Sequence, residues 1–113
     1  MTVLVVDDNA EVRRFIKELI GSVSDEIYEC DKGADAIRIY RSKRPDWVVM
    51  DLFIKGSNGH AATAEILRLD PAARIIAISN DADDVTVQKL MKVGVVAFFK
   101  KEDLVGLPQV LKS

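Results

Sequence analysis

Short apolar runs alternate along the chain with segments whose apolar positions recur every three to four residues. Val3 to Val6 is a continuous run rich in β-branched residues, the pattern of a strand buried on both faces of a parallel sheet. Val12, Phe15, Ile16, Leu19 and Ile20 follow at helical spacing with charges between them, until Gly21 breaks the pattern. Ile27 to Cys30 predicts a second strand. Ala34, Ile37 and Tyr40 mark a second amphipathic helix, closed by Pro45. Trp47 to Leu52 predicts a third strand, interrupted by Asp51, and the Gly-Ser-Asn-Gly stretch makes Phe53 to Gly59 a loop. Asn58 is a candidate cap for a helix burying Ala62, Ile66 and Leu69, which Pro71 ends. Ile75 to Ile78 predicts a fourth buried strand. Asp81, Asp83 and Asp84 then crowd the start of a helix, where its dipole favours anions. Val87, Leu90 and Met91 are expected to face inward, and Gly94 stops that helix. Val95 to Phe99 predicts a fifth strand. Leu104, Leu107 and Leu111 suggest a last, short helix, weakened by Gly106 and Pro108.

Strand and helix thus alternate with short connections, which implies an α/β fold with a parallel sheet covered by helices on both faces. In such open sheets a ligand binds outside the carboxyl ends of the strands, where strand order reverses. The residues at those ends are therefore the informative ones. The first strand ends in Asp7-Asp8, the third carries Asp51 at its end, the fourth ends in Ser79, and the fifth leads into Lys100-Lys101. If the first and third strands are neighbours, three carboxylates, a hydroxyl and an amine converge on one edge.

Three carboxylates that close repel one another. At about 5 Å and an effective dielectric of about 20, each pair costs roughly 3 kcal/mol. A divalent cation removes that penalty, and Mg²⁺ suits one or two direct carboxylates plus water. Carboxylates are recognised nucleophiles that form aspartyl phosphates. Phosphoryl transfer is catalysed mainly by positioning and charge stabilisation, which the metal, the Ser79 hydroxyl and the Lys101 ammonium can supply around Asp51. Taken singly, an aspartate after a strand is usually a turn or cap residue. The joint placement on four strand ends carries the reading.

Composition narrows the setting. At 113 residues the chain is long enough for one domain, spanning 1–113, and for a core that needs no disulfide. A formal net charge of −2 offers no general attraction to nucleic acid or to an anionic membrane. One cysteine, Cys30, excludes an internal disulfide and fits a reducing compartment. No apolar run approaches the roughly 20 residues of a membrane helix, and the N-terminus lacks the basic start of a signal peptide. A cytoplasmic location is the expectation.

These motifs resemble the receiver domain of bacterial two-component response regulators. Val5-Val6-Asp7-Asp8-Asn9 with Val12-Arg13 resembles that family's opening acidic pair and first helix, and Pro45-Asp46-Trp47-Val48-Val49-Met50-Asp51-Leu52 is similar to its phosphoacceptor strand. Gly59 stands eight residues beyond Asp51, Ser79 28 beyond it, and Lys101 22 beyond Ser79, as in the family; Lys100 is out of that register. The resemblance implies a flavodoxin-like (βα)5 doubly wound sheet of order 2-1-3-4-5. It implies Mg²⁺ held by Asp8, Asp51 and the backbone carbonyl of Phe53, with Asp7 acting through water. It also implies that Asp51 is phosphorylated by a histidine kinase or a phosphotransfer protein. Ser79 and Phe98 fall at the family's switch positions, which communicate with a face formed by helix 4, strand 5 and helix 5. Output would pass from there to a partner or to an output domain absent from this chain, with the receiver a monomer or weak homodimer. The bland reading of Phe98 is an ordinary strand aromatic, and that of His60 a surface residue.

Three positions depart from the family pattern: Lys55 and Glu102 stand where proline is common, and Asn80 where a small residue is usual. They bear on loop geometry and switching more than on acceptor chemistry, and they keep alive an alternative, a pseudo-receiver that docks or dimerises without phosphorylation. A phosphate-ester hydrolase with an aspartyl nucleophile would want a second acid where Phe53 stands. A flavin-binding protein of this fold would want a hydroxyl-rich phosphate loop where Asp7-Asp8 would repel the ligand.

Overall fold

The computed structural model describes residues 1–54, 58–81 and 83–113. The elements run β1 (Thr2–Val6), α1 (Ala10–Ile20), β2 (Glu26–Cys30), α2 (Gly33–Lys43), β3 (Trp47–Asp51), α3 (Gly59–Leu69), β4 (Ile75–Ser79), α4 (Asp84–Val93), β5 (Ala97–Lys100) and α5 (Leu107–Leu111). All strand pairs are parallel, in the order β2-β1-β3-β4-β5. Strand order reverses at β1 and β3, which are neighbours, so the edge where a ligand is expected lies above Val6 and Asp51.

Alternation along the strands divides the core into two layers, because successive side chains of a strand point to opposite faces. Leu4, Val6, Val48, Met50, Ile75 and Ala77 pack under α2, α3 and α4, against Tyr40, Ile66 and Leu90 among others. Val3, Val5, Val49, Ile76 and Ile78 face the other way, against Ile16 and Ile20 of α1 and Leu107 and Leu111 of α5. Every residue of β3 and β4 is buried, including the polar pair Asp51 and Ser79. No helix among the described residues is long and apolar enough to cross a membrane.

The helix ends follow from local chemistry. Asn9 Oδ1 accepts from the Glu11 and Val12 N–H groups, Asn58 Oδ1 from those of His60 and Ala61, and the Asp83 side chain from that of Thr86. Gly94 closes α4 in the left-handed region at φ 118°, its N–H donating to Leu90 and Met91 carbonyls. The next N–H, of Val95, also returns to the Leu90 carbonyl. This spends Val95 on the helix cap and delays β5 to Ala97, two residues later than the apolar run predicts. Pro108, which weakens a helix interior, sits in the first turn of α5, where a missing N–H costs nothing. Leu104, Leu107 and Leu111 are all buried.

Three helix faces differ from expectation. Met91 is exposed rather than inward, because Leu90 takes the buried line of α4 and its neighbour turns about 100° away. On α3, Leu67 is more buried than Leu69 for the same reason. Phe15, beside the fully buried Ile16, is likewise exposed.

Cys30 ends β2 half-buried, and burial pushes its thiol up to about 11. The thiolate is the reactive form. Alkylation of Cys30 by iodoacetamide at pH 8 is therefore expected to run about a hundredfold slower than that of a small free thiol. Labelling rates read by intact mass check this.

Candidate functional site

Asp7 follows the last residue of β1 and continues its ladder, donating its N–H to the Cys30 carbonyl at 3.2 Å. Its carboxylate is fully buried; Oδ1 accepts from the Asn9 N–H at 2.9 Å. Its own carbonyl is gripped by Arg13 Nη1 at 2.7 Å, which fastens the turn to α1. Asp51 closes β3 at 1% exposure. One of its oxygens accepts from the Phe53 N–H at 3.1 Å and the other from Lys101 Nζ at 3.0 Å. The same ammonium lies 2.8 Å from Asp7 Oδ2. Lys101 is brought there by its backbone, whose N–H donates to the Ser79 carbonyl at 2.8 Å. Lys100, one residue earlier, is exposed.

Asp8 is exposed at the mouth of this cleft. Carboxylate oxygens of Asp7, Asp8 and Asp51 lie within 4.8 Å of one another. Burial raises the pKa of Asp7, and the nearby Asp51 charge adds to it, against the lowering effect of Lys101 and the Asn9 N–H. Burial acts to lower the Lys101 pKa, but Asp7 and Asp51 outweigh it and hold the ammonium above its ordinary value. Two buried acids therefore share one firmly protonated amine, with the third acid, Asp8, beside them.

A hard divalent cation fits this donor set. Among the described residues Asp7 Oδ2 is buried with no hydrogen bond of good geometry; its approach to Lys101 is an ion pair off the hydrogen-bond direction. Oxygen atoms are the ligands Mg²⁺ takes, with several waters retained, and the exposed side at Asp8 leaves room for them.

Ser79 is fully buried, and its hydroxyl donates to the Asp81 carbonyl at 2.7 Å while accepting from the Asp81 N–H at 3.2 Å. Phe98 is half-buried against the α4 side of the core. Phe53 is 61% exposed. His60, which the sequence suggests is a bland surface residue, is half-buried with its ring edge-on to Phe53 at 5.6 Å. A lone histidine carries no motif, so only the fold reveals that contact. Asn80 and Glu102 are exposed; Lys55 lies outside the described residues.

The model of the response regulator receiver domain matches residues 3–111. This chain belongs to the response regulator receiver family. The receiver is 35% identical over 100 residues to the chemotaxis protein CheY of Thermotoga maritima, covering 88% of this chain and 83% of that protein. It is 30% identical over 113 residues to the response regulator GacA of Pseudomonas aeruginosa, covering 98% of this chain but 52% of GacA, so it spans about half of that relative. Among solved structures it is similar to a LuxR-family response regulator from Aurantimonas, with a TM-score of 0.84 at 29% identity over 98% of this chain and 84% of that one. The receiver domain of the histidine kinase CKI1 from Arabidopsis thaliana, complexed with Mg²⁺ and BeF₃⁻, gives a TM-score of 0.81 at 27% identity, over 98% and 87%. The receiver is accordingly a phosphorylatable switch of two-component signalling rather than an enzyme in the usual sense.

Among the described residues, Lys101 alone pairs with both buried acids. Lys101→Met leaves Asp7 and Asp51 without that ammonium, and breaking a buried pair from one side is costly. The variant is expected to lose about 2–3 kcal/mol in urea unfolding without metal. Added Mg²⁺ should stabilise the variant more than the parent.

Proposed function

We propose that Asp51 accepts the phosphoryl group, with Asp7, Asp8, Asp51 and the Phe53 carbonyl forming the Mg²⁺ site. The reading is carried by Asp51 itself, a nearly buried carboxylate at the switch point, held by Lys101 and ringed by two more acids. When bound, the ion supplies positive charge that offsets the crowded acids and the incoming phosphoryl oxygens. Asp51 attacks phosphorus in line; a P–O bond to Asp51 forms as the P–N bond of a phosphohistidine breaks, and the imidazole leaves with the electron pair. Lys101 is already within hydrogen-bond distance of Asp51 and takes one phosphoryl oxygen. Ser79 exchanges its hydroxyl bond to Asp81 for another.

That exchange frees the Asp81 carbonyl and biases two packings of β4 and α4, with Phe98 following inward. The output face is α4, β5 and α5. Exposed apolar residues lie on these elements and on the segments leading into them, Val85 and Met91 on α4, Val96 before β5 and Val105 before α5, a composition suited to a protein partner or a tethered output domain. A histidine kinase or phosphotransfer protein is the proposed donor, acting in the cytoplasm. The receiver contributes to its own phosphorylation and dephosphorylation and to no separate reaction.

The direct test is incubation with Mg²⁺ and a small acyl-phosphate donor, followed by intact mass. A gain of one phosphoryl group that EDTA abolishes is the expected result. No gain, at donor concentrations that phosphorylate a control receiver, would refute the proposal in favour of a docking module.

A further inference from the structure

Two of the clustered acids are consecutive, so the peptide between Asp7 and Asp8 sets how their carboxylates splay. A peptide is planar, and tilting its plane swings the residue that follows. Asp7 is fixed by more than that plane. Its buried carboxylate accepts the Asn9 N–H and meets Lys101, and its own N–H returns to β2. Asp8 stands exposed at the cleft mouth, where core packing does not reach. The direction of its side chain therefore follows from the plane of the peptide before it.

That plane is held from β2. Arg13 Nη1 donates to the Asp7 carbonyl at 2.7 Å, and Arg13 Nε donates to Glu29 Oε1 at 2.8 Å. Glu29 is in register with Val5 of β1, so it is carried by the same sheet as Asp7. Its second oxygen accepts from Lys17, one turn beyond Arg13 on α1. Lys17, and to a lesser degree Arg13, holds the Glu29 carboxyl below its usual range, so the anchor stays charged at neutral pH. The Arg13 side chain is only 17% exposed. A guanidinium presents its N–H groups in one rigid plane, so a single side chain serves the carboxylate and the carbonyl together. The ammonium of lysine has no such fork. A tie between α1 and β2 needs only an ion pair, and Lys17 already supplies one. The bond to the Asp7 carbonyl is what sets Arg13 apart from Lys17.

We propose that Arg13 is a positioning residue for Mg²⁺ binding: braced on Glu29, its guanidinium locks the Asp7–Asp8 peptide so that the Asp8 carboxylate stays with those of Asp7 and Asp51. This rests on the reading of those three acids as a Mg²⁺ site. Groups that orient metal ligands without touching the metal typically govern affinity by about 10–100-fold. The sign of the effect separates positioning from charge. Arg13 is a cation near the site, so by Coulomb repulsion alone its removal would tighten Mg²⁺ binding. Positioning requires the reverse.

The test titrates Mg²⁺ into ¹⁵N-labelled parent, Arg13→Met, Arg13→Lys and Lys17→Met, with affinity read from the amides of residues 7–9 and 51–54. The expected result is about tenfold weaker binding in both Arg13 variants. Lys17→Met, which loses an ion pair to the same glutamate, should bind within about twofold of the parent. Arg13→Lys keeps the charge without the fork, so it reads geometry alone and serves where Arg13→Met folds poorly. Phosphoryl uptake from a small acyl-phosphate donor should need about tenfold more Mg²⁺ in the Arg13 variants and reach the parental rate once the ion saturates. Equal or tighter Mg²⁺ binding in Arg13→Met, or parental binding in Arg13→Lys, would overturn the proposal. So would an equal loss in Lys17→Met, which would reduce the effect to a general tie between α1 and β2. A parent that binds no Mg²⁺, at concentrations that saturate a control receiver, would strike the metal site itself and this inference with it.

Discussion

Asp51→Asn is expected to abolish phosphoryl uptake completely while leaving the domain folded. The change is isosteric. An amide retains an acceptor oxygen for the Phe53 N–H, so the turn after β3 keeps its hydrogen bond. What it removes is the anionic oxygen that attacks phosphorus, for which a neutral amide is no substitute. It also takes one charge out of a cluster whose carboxylate oxygens lie within 4.8 Å of one another, so like-charge repulsion falls. The lost Lys101–Asp51 pair offsets that relief, while Lys101 keeps its pair with Asp7, so stability without metal should stay near the parent's, whereas stabilisation by Mg²⁺ should shrink. Intact mass after acyl-phosphate treatment reads the first effect, and urea unfolding with and without Mg²⁺ the second. Asp8, the exposed acid of the cluster, is the rival acceptor. A phosphoryl gain that persists in Asp51→Asn and maps to the peptide containing Asp8 would move the acceptor there.

Gly59→Ala is expected to destabilise the domain by about 3 kcal/mol or more, the scale of forced overpacking against atoms that cannot turn aside. Gly59 opens α3, where alanine would ordinarily gain about 1 kcal/mol in helix propensity. Sterics reverse that sign. A Cβ there would lie 2.0 Å from the Asp51 carbonyl oxygen, 2.8 Å from Leu52 Cα and 2.9 Å from the Asp51 carbonyl carbon. All three are backbone atoms of the acceptor strand and the residue after it, so the helix must retreat or the Asp51 peptide must tilt. Either movement displaces the nucleophile, and phosphoryl uptake should slow along with the loss of stability. Chemical denaturation and the rate of mass gain check the two effects, and parental values for both would show that this close approach does not matter.

How much of this was legible in the sequence depended on the kind of signal. The five-stranded parallel order followed from alternating strand and helix patterns together with the family motifs, and the described strands form that sheet. Asp7, Asp51 and Lys101 were readable because each stands at a strand's carboxyl end, where topology itself concentrates chemistry. The cap at Asn58 was readable because a short polar side chain before a helix has few other uses. Helix faces were harder. Phe15 and Met91 sit next to the buried Ile16 and Leu90, and a one-residue offset on a helix turns a side chain by about 100°. The apolar run starts β5 two residues early, because it cannot disclose that the Val95 amide is committed to the end of α4. Gly59 was visible as a spacing but not as a steric necessity, since the two backbones meet only in three dimensions. The His60–Phe53 contact had no sequence signature at all.

The amide of Lys101 hangs from the carbonyl of Ser79. The two side chains proposed to grasp the newcomer are thus mounted on a single yoke, and a tug on either is felt by both neighbouring strands. A protein that clamps the outer edge of β5 would therefore steady the yoke from behind. Thermodynamic reciprocity then requires that whatever phosphorylation lends to that grip, the grip returns to phosphorylation in equal measure.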